Sequence, residues 1–464
     1  MPEIKRTLNL FDTIMIVSGS MIGSGIFIVS ADMTRVLGSP FWVMACWLIS
    51  GIITLFAALS YGELAGMMPE AGGQFIYLKR AYGRMVSFVY GWTVFAVIQT
   101  GVIAAVAVAF ARYVGVLLPF FDENNILLSV GIVNISSTQV LAVLMVFFLS
   151  FLNSLGINNA RIIQRVFTSA KIIALVGLIL IGLIFGWQNG YLQENLSLPY
   201  SPPDGDGGLR MSLYAALGVA LIGALFSSDA WNNVTFVAGE VKDPRRNIPL
   251  GLFFGVLIVT VLYILANLSY FMLLPAEAVA TASNDRVGTA ALEGIFGGAS
   301  VVLMALLIIV STFGCNNGLI LSGSRLFYAM AAEKLFFKSA ATLNRHGVPG
   351  KALWLQAVWA SVLCLSGSYS ALLDYCTFSS LVFYIVTIGA LFLLRKREPL
   401  AERPYKAFGY PLVPLLYILV ATGICIDLLI FKPQAAGIGL LIMMLGWPLY
   451  YFFEQKKNGE RLSE

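Results

Sequence analysis

Apolar residues run through this chain in long unbroken stretches rather than in the short alternations of a soluble fold. Twelve such stretches stand out, near 10–31, 40–66, 87–118, 138–155, 162–186, 211–238, 249–274, 295–330, 352–370, 374–394, 411–431 and 435–453. A helix needs roughly 20 consecutive apolar residues to cross a bilayer, so the pattern predicts twelve transmembrane helices. In hydrocarbon a helix satisfies its own backbone hydrogen bonds, which makes it the natural spanning element. The twelve stretches use most of the 464 residues. No soluble domain of ordinary size remains, and 1–464 reads as one polytopic unit.

Composition agrees with this pattern. Hydrophobic residues make up 59% of the chain and charged residues 11%, against about 25% charged in soluble proteins. The basic start at Lys5 and Arg6 precedes a long apolar run with no obvious cleavage site, so the run reads as a retained span rather than a signal peptide. With the N-terminus inside and the spans alternating, 23 of the 29 basic residues fall in inner segments. Arg35, Arg112, Lys171, Arg210, Arg286 and Lys432 are the exceptions. Positive loops stay cytoplasmic, so both termini are expected in the cytoplasm and the protein in the cell (plasma) membrane. The net charge of +5 then reports orientation, and no nucleic-acid partner is expected. The outer loops at 119–137, with Asp122 and Glu123, and 187–210 read as polar and ordinary.

Enzyme chemistry finds little support. The single histidine, His346, lies in a basic loop, and Cys46, Cys315, Cys364, Cys376 and Cys425 all sit in or beside apolar runs. No triad, metal cluster or disulfide framework is expected, and no cofactor.

Two spans carry polar interruptions. The first contains Ser18-Gly19-Ser20-Met21-Ile22-Gly23-Ser24-Gly25 and the sixth Phe226-Ser227-Ser228-Asp229-Ala230-Trp231-Asn232-Asn233. Interrupted segments at matching positions five spans apart point to an inverted-repeat transporter. Unwinding there would free main-chain groups. The N–H groups of Gly23, Ser24 and Gly25, at the start of a new half-helix, suit a carboxylate. Carbonyls near Met21 and Phe226 suit an ammonium group. Together they would clamp a zwitterion. Close helix packing through small residues is the competing explanation for each cluster alone.

The ordered motifs resemble the amino acid–polyamine–organocation superfamily and, within it, the L-type amino acid transporters and their bacterial relatives. Gly23-Ser24-Gly25-Ile26-Phe27 matches the first span. Glu63-Leu64-Ala65 with Pro69, Gly72-Gly73, Tyr77-Leu78 and Tyr82-Gly83 matches the second-to-third span loop. Trp231-Asn232, Gly239-Glu240-Val241-Lys242, Pro244, Asn247 and Pro249 match the end of the sixth. Phe313-Gly314, Asn317-Gly318 and Ser324-Arg325-Leu326 match the eighth, and Arg403-Pro404-Tyr405-Lys406, with Pro411 and Pro414, the loop before the eleventh.

The resemblance implies an all-α integral membrane fold: a five-plus-five inverted repeat (about 10–186 and 211–394), two extra helices (about 411–453), discontinuous helices 1 and 6, and alternating access. By position it assigns the substrate carboxylate to Ser24 and Gly25, the amino group to carbonyls of Met21 and Asp229, an aromatic gate to Phe226 and a substrate contact to Asn232. Ser227, Ser228 and Ala230 depart from the usual Phe-Ala-Tyr-x-Gly-Trp, which implies a roomier, more polar pocket. The chain has no Cys between Arg112 and Gln139, so the disulfide-linked heavy chain of animal relatives is not expected.

Charges within spans are costly and functional by default. The resemblance places the Lys171 amine where sodium-coupled relatives bind an ion, which implies sodium-independent transport; a structural pin on loose carbonyls is the alternative. Asp229 reads as a substrate contact, a proton site or a structural partner. Glu63, Glu240 and Arg325 read as inner-side ion pairs, Trp231 as packing, and Arg112 as reaching outer water. The expected function is sodium-independent exchange of small or medium neutral L-amino acids. Proton-coupled import, a cationic amino acid or polyamine carrier, and a non-transporting sensor are the alternatives.

Overall fold

A computed structural model describes residues 5–130, 133–201, 212–366 and 369–461. The acidic, proline-containing part of the second outer loop (Pro202, Pro203, Asp204, Asp206, and Arg210 beyond it) lies outside the described residues.

The protein is a bundle of long helices. The first apolar stretch forms α1 (Leu10–Met21) and α2 (Gly25–Leu37). Then follow α3 (Pro40–Met67), α4 (Gln74–Tyr82) and α5 (Arg84–Leu117). Next come α6 (Ser137–Ser154), α7 (Ile157–Gly186), α8 (Leu213–Ser227), α9 (Asn233–Phe236) and α10 (Pro244–Leu273). The chain continues with α11 (Ala299–Ala332), α12 (Gly350–Ser366), α13 (Tyr369–Arg397), α14 (Leu412–Phe431) and α15 (Pro433–Arg461).

Among the described residues nine helices are long and apolar enough to cross a membrane, or ten if the bent α1–α2 pair counts as one span. The α8 and Gly350–Leu365 segments are apolar but shorter. Within 119–137, β1 (Ile126–Val130) and β2 (Val133–Ser136) pair antiparallel, a small departure from an all-helical chain.

Local chemistry sets the helix ends. Asn9 and Asp12 form a reciprocal capping box at the start of α1, and Ser136 and Gln139 do the same for α6. Each cap satisfies two of the donors that a helix start leaves unpaired. Gly38, at φ 62°, ends α2 in the left-handed conformation that glycine adopts without strain.

The core is built around α1 and α10. Helix α10 packs along α3, α1 and α7, while α11 packs on α5, α7 and α1. At Gly255 any side chain would meet Val17 at 2.5 Å, so the two backbones approach closely there. This places the α1–α2 junction in the middle of the bundle.

Polar contacts divide the bundle into two faces. On the near face, the segment before α1 pairs with the segment after α9: Thr7 and Leu8 N–H groups donate to Glu240 O, and Lys242 N–H donates to Leu8 O. Beside it, Asp12 binds Arg165 at 2.5 Å. Glu63, fully buried, accepts from Arg395, Arg403 and the Ala407 N–H. Glu240 and Arg325, both buried, pair at 3.0 Å. On the far face, Arg35 bridges Asp32 and Asp285, and Arg112 pairs with Glu123.

Candidate functional site

Helix α1 stops at Met21 and α2 restarts at Gly25, with axes bent by 42°. Helix α8 stops at Ser227, and residues 228–232 are non-helical before α9. The two breaks touch. A Cβ on Gly25 would lie 2.2 Å from Ser227 Oγ and 3.2 Å from its Cα. Neither Gly23 nor Gly25 has positive φ; the residue in left-handed geometry is Ala230, at 66°. The first-span glycines are thus not needed for φ; Gly25 provides space where the helices meet. The strained backbone lies between α8 and α9, at a position where the resembling family pattern carries glycine.

Main-chain groups at the first break are held from several directions. Lys171 is buried on α7 and donates to Gly19 O at 2.5 Å, Ile22 O at 2.7 Å and Ser311 O at 3.3 Å. Ser311 Oγ donates to Ile22 O and Gly23 O. The Tyr263 hydroxyl lies within hydrogen-bond distance of both Met21 O and Ser227 O, tying one break to the other. The thiol of Cys315 donates to Ser20 O at 3.0 Å. Among the described residues, the N–H groups of Gly23 and Gly25 donate to no main-chain carbonyl. The charge and donor pattern is therefore polarised: carbonyls are occupied by Lys171 and hydroxyls, and the freed N–H groups sit at the start of α2.

A second polar set surrounds the sixth-span break. The Tyr384 hydroxyl donates to Asp229 Oδ1 at 2.5 Å and lies 3.3 Å from Asn232 Oδ1. Asn232 Nδ2 donates to Gln74 Oε1, and Gln74 Nε2 to Thr387 Oγ1 and Phe383 O. Ser227 Oγ donates to Gly223 O, and Ser228 Oγ meets Ser50 Oγ at 3.4 Å. Trp231 is buried between Tyr61 and Tyr384 and packs as an aromatic.

Three narrow pockets converge on Asp229. The first is lined by Met21, Gly23, Ser24, Gly25, Phe226 and Cys315, among others. The second lies toward Gln74, Gln99, Asn233 and Tyr384, and the third toward Ser228, Trp231 and Tyr417. Each has about 20 Å³ of open space, about enough for one water. Above them on the far face is a vestibule of about 720 Å³, lined by Asp32, Arg35, Arg112, Glu123, Asp285 and Arg286. Phe226 lines both the vestibule and the break pocket, so it is the partition between them.

The residues singled out in the sequence thus lie together: Met21, Gly23, Ser24, Gly25, Phe226, Ser227 and Asp229 around one pocket, Lys171 behind the first break, and Ser228 and Asn232 in the adjoining polar set. Sequence reasoning missed Tyr263, Ser311, Tyr384 and Gln74, and gave Asn233 no role beyond its place in the polar interruption. Polar residues inside apolar stretches are the signal that marks them, but that signal gives no partner.

Interrupted helices meeting at the bundle centre, under a charged vestibule, define a multi-pass membrane transporter. The chain belongs to the amino acid permease family, whose model matches residues 8–451, within the amino acid–polyamine–organocation superfamily. This is a family of transporters and not of enzymes. The chain is 28% identical to the serine/threonine exchanger SteT of Bacillus subtilis (strain 168), covering 98% of both chains. It is 28% identical to the human b(0,+)-type amino acid transporter 1, over 97% of this chain and 88% of that one. The human Asc-type amino acid transporter 1 is 29% identical, over 99% and 85% respectively.

Proposed function

We propose that the chain is a sodium-independent exchanger of small or medium neutral L-amino acids. It works by alternating access in the plasma membrane, with both termini cytoplasmic. In this reading the near face is the cytoplasmic face and the vestibule opens outward. The α8–α9 segment and α12 each complete a span, giving twelve, arranged as inverted repeats over about 10–186 and 211–394 with 411–453 added. The substrate carboxylate binds the N–H groups of Gly23, Ser24 and Gly25, and the Ser24 hydroxyl. Its ammonium group lies against the carbonyls of Met21, Phe226 and Asp229, each carbonyl having two lone pairs to offer. Phe226 swings to admit substrate and covers it once bound, and entry widens the narrow pockets beneath. No disulfide-linked heavy chain is needed.

One observation carries most of this: Lys171 reaches the carbonyls of Gly19, Ile22 and Ser311 at the first break. A fixed ammonium among carbonyl oxygens stands where a coupling cation would otherwise sit, so the site needs no bound sodium. The test is counterflow in proteoliposomes. Uptake of labelled alanine should require an amino acid inside and be unchanged when sodium is replaced by choline. Strict dependence on sodium would reject the proposal.

A proton-coupled importer is the second reading, favoured by the hydrogen bond that the half-buried Asp229 carboxylate accepts from the Tyr384 hydroxyl. Uphill uptake driven by an imposed pH gradient into empty liposomes would replace exchange with this mechanism. A cationic substrate is disfavoured, because Asp229 is the sole carboxylate lining the three pockets among the described residues and already accepts from Tyr384.

A further inference from the structure

Most polar groups lining the pocket between Asp229 and Gln74 are already committed. Gln99 Nε2 donates to Leu319 O at 2.8 Å, Gln74 is held by Asn232 and Thr387, and the Tyr384 hydroxyl by Asp229. Asn233 differs. It is 1% exposed and lines this pocket, yet its Nδ2 has no hydrogen-bond partner among the described residues. Buried amide groups are rarely left unpaired, because the lost hydrogen bonds to water are not replaced. Asn233 lines the same pocket as Asp229, whose carboxylate is an acceptor.

We propose that this pocket is the side-chain subsite and that Asn233 and Asp229 select neutral amino acids whose side chains both accept and donate a hydrogen bond. A hydroxyl or carboxamide accepts from Asn233 Nδ2 and donates to the Asp229 carboxylate. An aliphatic side chain does neither and leaves the buried Asn233 Nδ2 unpaired. An ammonium or guanidinium group only donates, so it fails Asn233; a carboxylate only accepts, so it meets Asp229 with like charge. The geometry allows this because the subsite and the pocket at the first break share Val102, Asp229 and Ala230. A zwitterion held at Gly23–Gly25 can therefore direct its side chain past Ala230 toward Asn233. The sequence contributes directly: two successive asparagines follow Trp231, and the first is used up by Gln74 while the second is not.

The inference rests on the clamp reading given above, and the test separates the two. Full-length protein in liposomes is loaded with alanine, and competition against labelled alanine is measured for threonine versus its isostere valine, and for glutamine versus leucine. Threonine and glutamine should each compete at about tenfold lower concentration or better, since a site built to hydrogen-bond a group discriminates strongly against an analogue lacking it. In Asn233→Leu the threonine-to-valine ratio, taken against that variant's own alanine exchange, should fall to about threefold or less. Equal competition by threonine and valine in the unaltered protein would overturn the selectivity, whatever the variant does. An unchanged ratio in Asn233→Leu would overturn the assignment to Asn233. Loss of the proposal together with the whole exchange reading would appear differently, as no counterflow with any amino acid.

Discussion

At the residue scale, the two breaks depend on a few atoms with no substitute nearby. Lys171 lies 14 residues into α7, roughly 21 Å along it at about 1.5 Å per residue, too deep for its amine to reach water. Its ammonium is tolerable there because three carbonyls surround it. Lys171→Ala removes the charge and takes a donor from each of those carbonyls, although Ile22 O keeps the Ser311 hydroxyl; a buried group left unsatisfied costs about 1–3 kcal/mol. We expect exchange to fall by at least about tenfold while the variant still purifies as a monodisperse species; unaltered uptake kinetics would remove the functional role. Ser24→Leu should abolish amino acid binding, because a branched side chain would fill the start of α2 where the carboxylate docks. Thermal-shift titration with alanine checks this, and a retained shift would displace the clamp. Ala230, at φ 66°, is held in a conformation that costs non-glycine residues on the order of 1–3 kcal/mol. Ala230→Gly should therefore preserve or raise thermal stability and Ala230→Val should lower it; the reverse order would show that the backbone there is not left-handed.

At the scale of elements, the near face is shut by main chain as much as by side chains. The segment Thr7–Leu8 lies against Glu240–Lys242, and the buried Glu240–Arg325 pair lies behind it. Breaking a buried pair from one side strands the other charge, which costs about 3–5 kcal/mol. Arg325→Met should thus reduce folded yield far more than the exposed Arg245→Met, whose partner Glu402 is mostly in solvent. Comparable yields, measured by fluorescence-detected size exclusion, would refute the distinction. The Arg403-Pro404-Tyr405-Lys406 loop also gains a physical meaning. Arg403 donates to Glu63 and to carbonyls of Leu394, Glu398, Pro399 and Ala401, fastening the loop before α14 to the end of α3. On the far side, Phe226 lines both the vestibule and the pocket at the first break, so its removal should act on access rather than on the clamp.

For the whole molecule, the contrast between faces is between a wide charged vestibule and a sealed, ion-paired opposite side. On the proposed alternating-access reading, that asymmetry corresponds to the half of the cycle with the far side open. Substrate should favour closure of Phe226 and, later, release of the near-face contacts. The five cysteines are all buried, so single cysteines introduced at Asn189 and at Lys338 can report sidedness cleanly. The first should react with an impermeant maleimide from outside intact cells and the second only after permeabilisation; the opposite pattern would invert the orientation.

Much of this was legible in order along the chain. Apolar run length and two polar interruptions determined by themselves that the chain is a polytopic membrane protein whose helices break near residues 22–24 and 228–232, because the bilayer imposes a length and a polarity that one dimension can display. Glu63, Glu240 and Arg325 were readable as ion-paired for the same reason: a buried charge requires a partner. What that partner is, and how far away, depends on contacts between residues distant in sequence. Only the tertiary structure decided that Gly25 is glycine because Ser227 presses on it, that Ala230 and not the first-span glycines carries the unusual φ, that Lys171 serves three carbonyls from two helices, and that Asn232 is spent on Gln74 while Asn233 is not. Hydrogen bonding and close packing are short-ranged in space and indifferent to separation along the chain, so these distinctions exist only once the helices have come together.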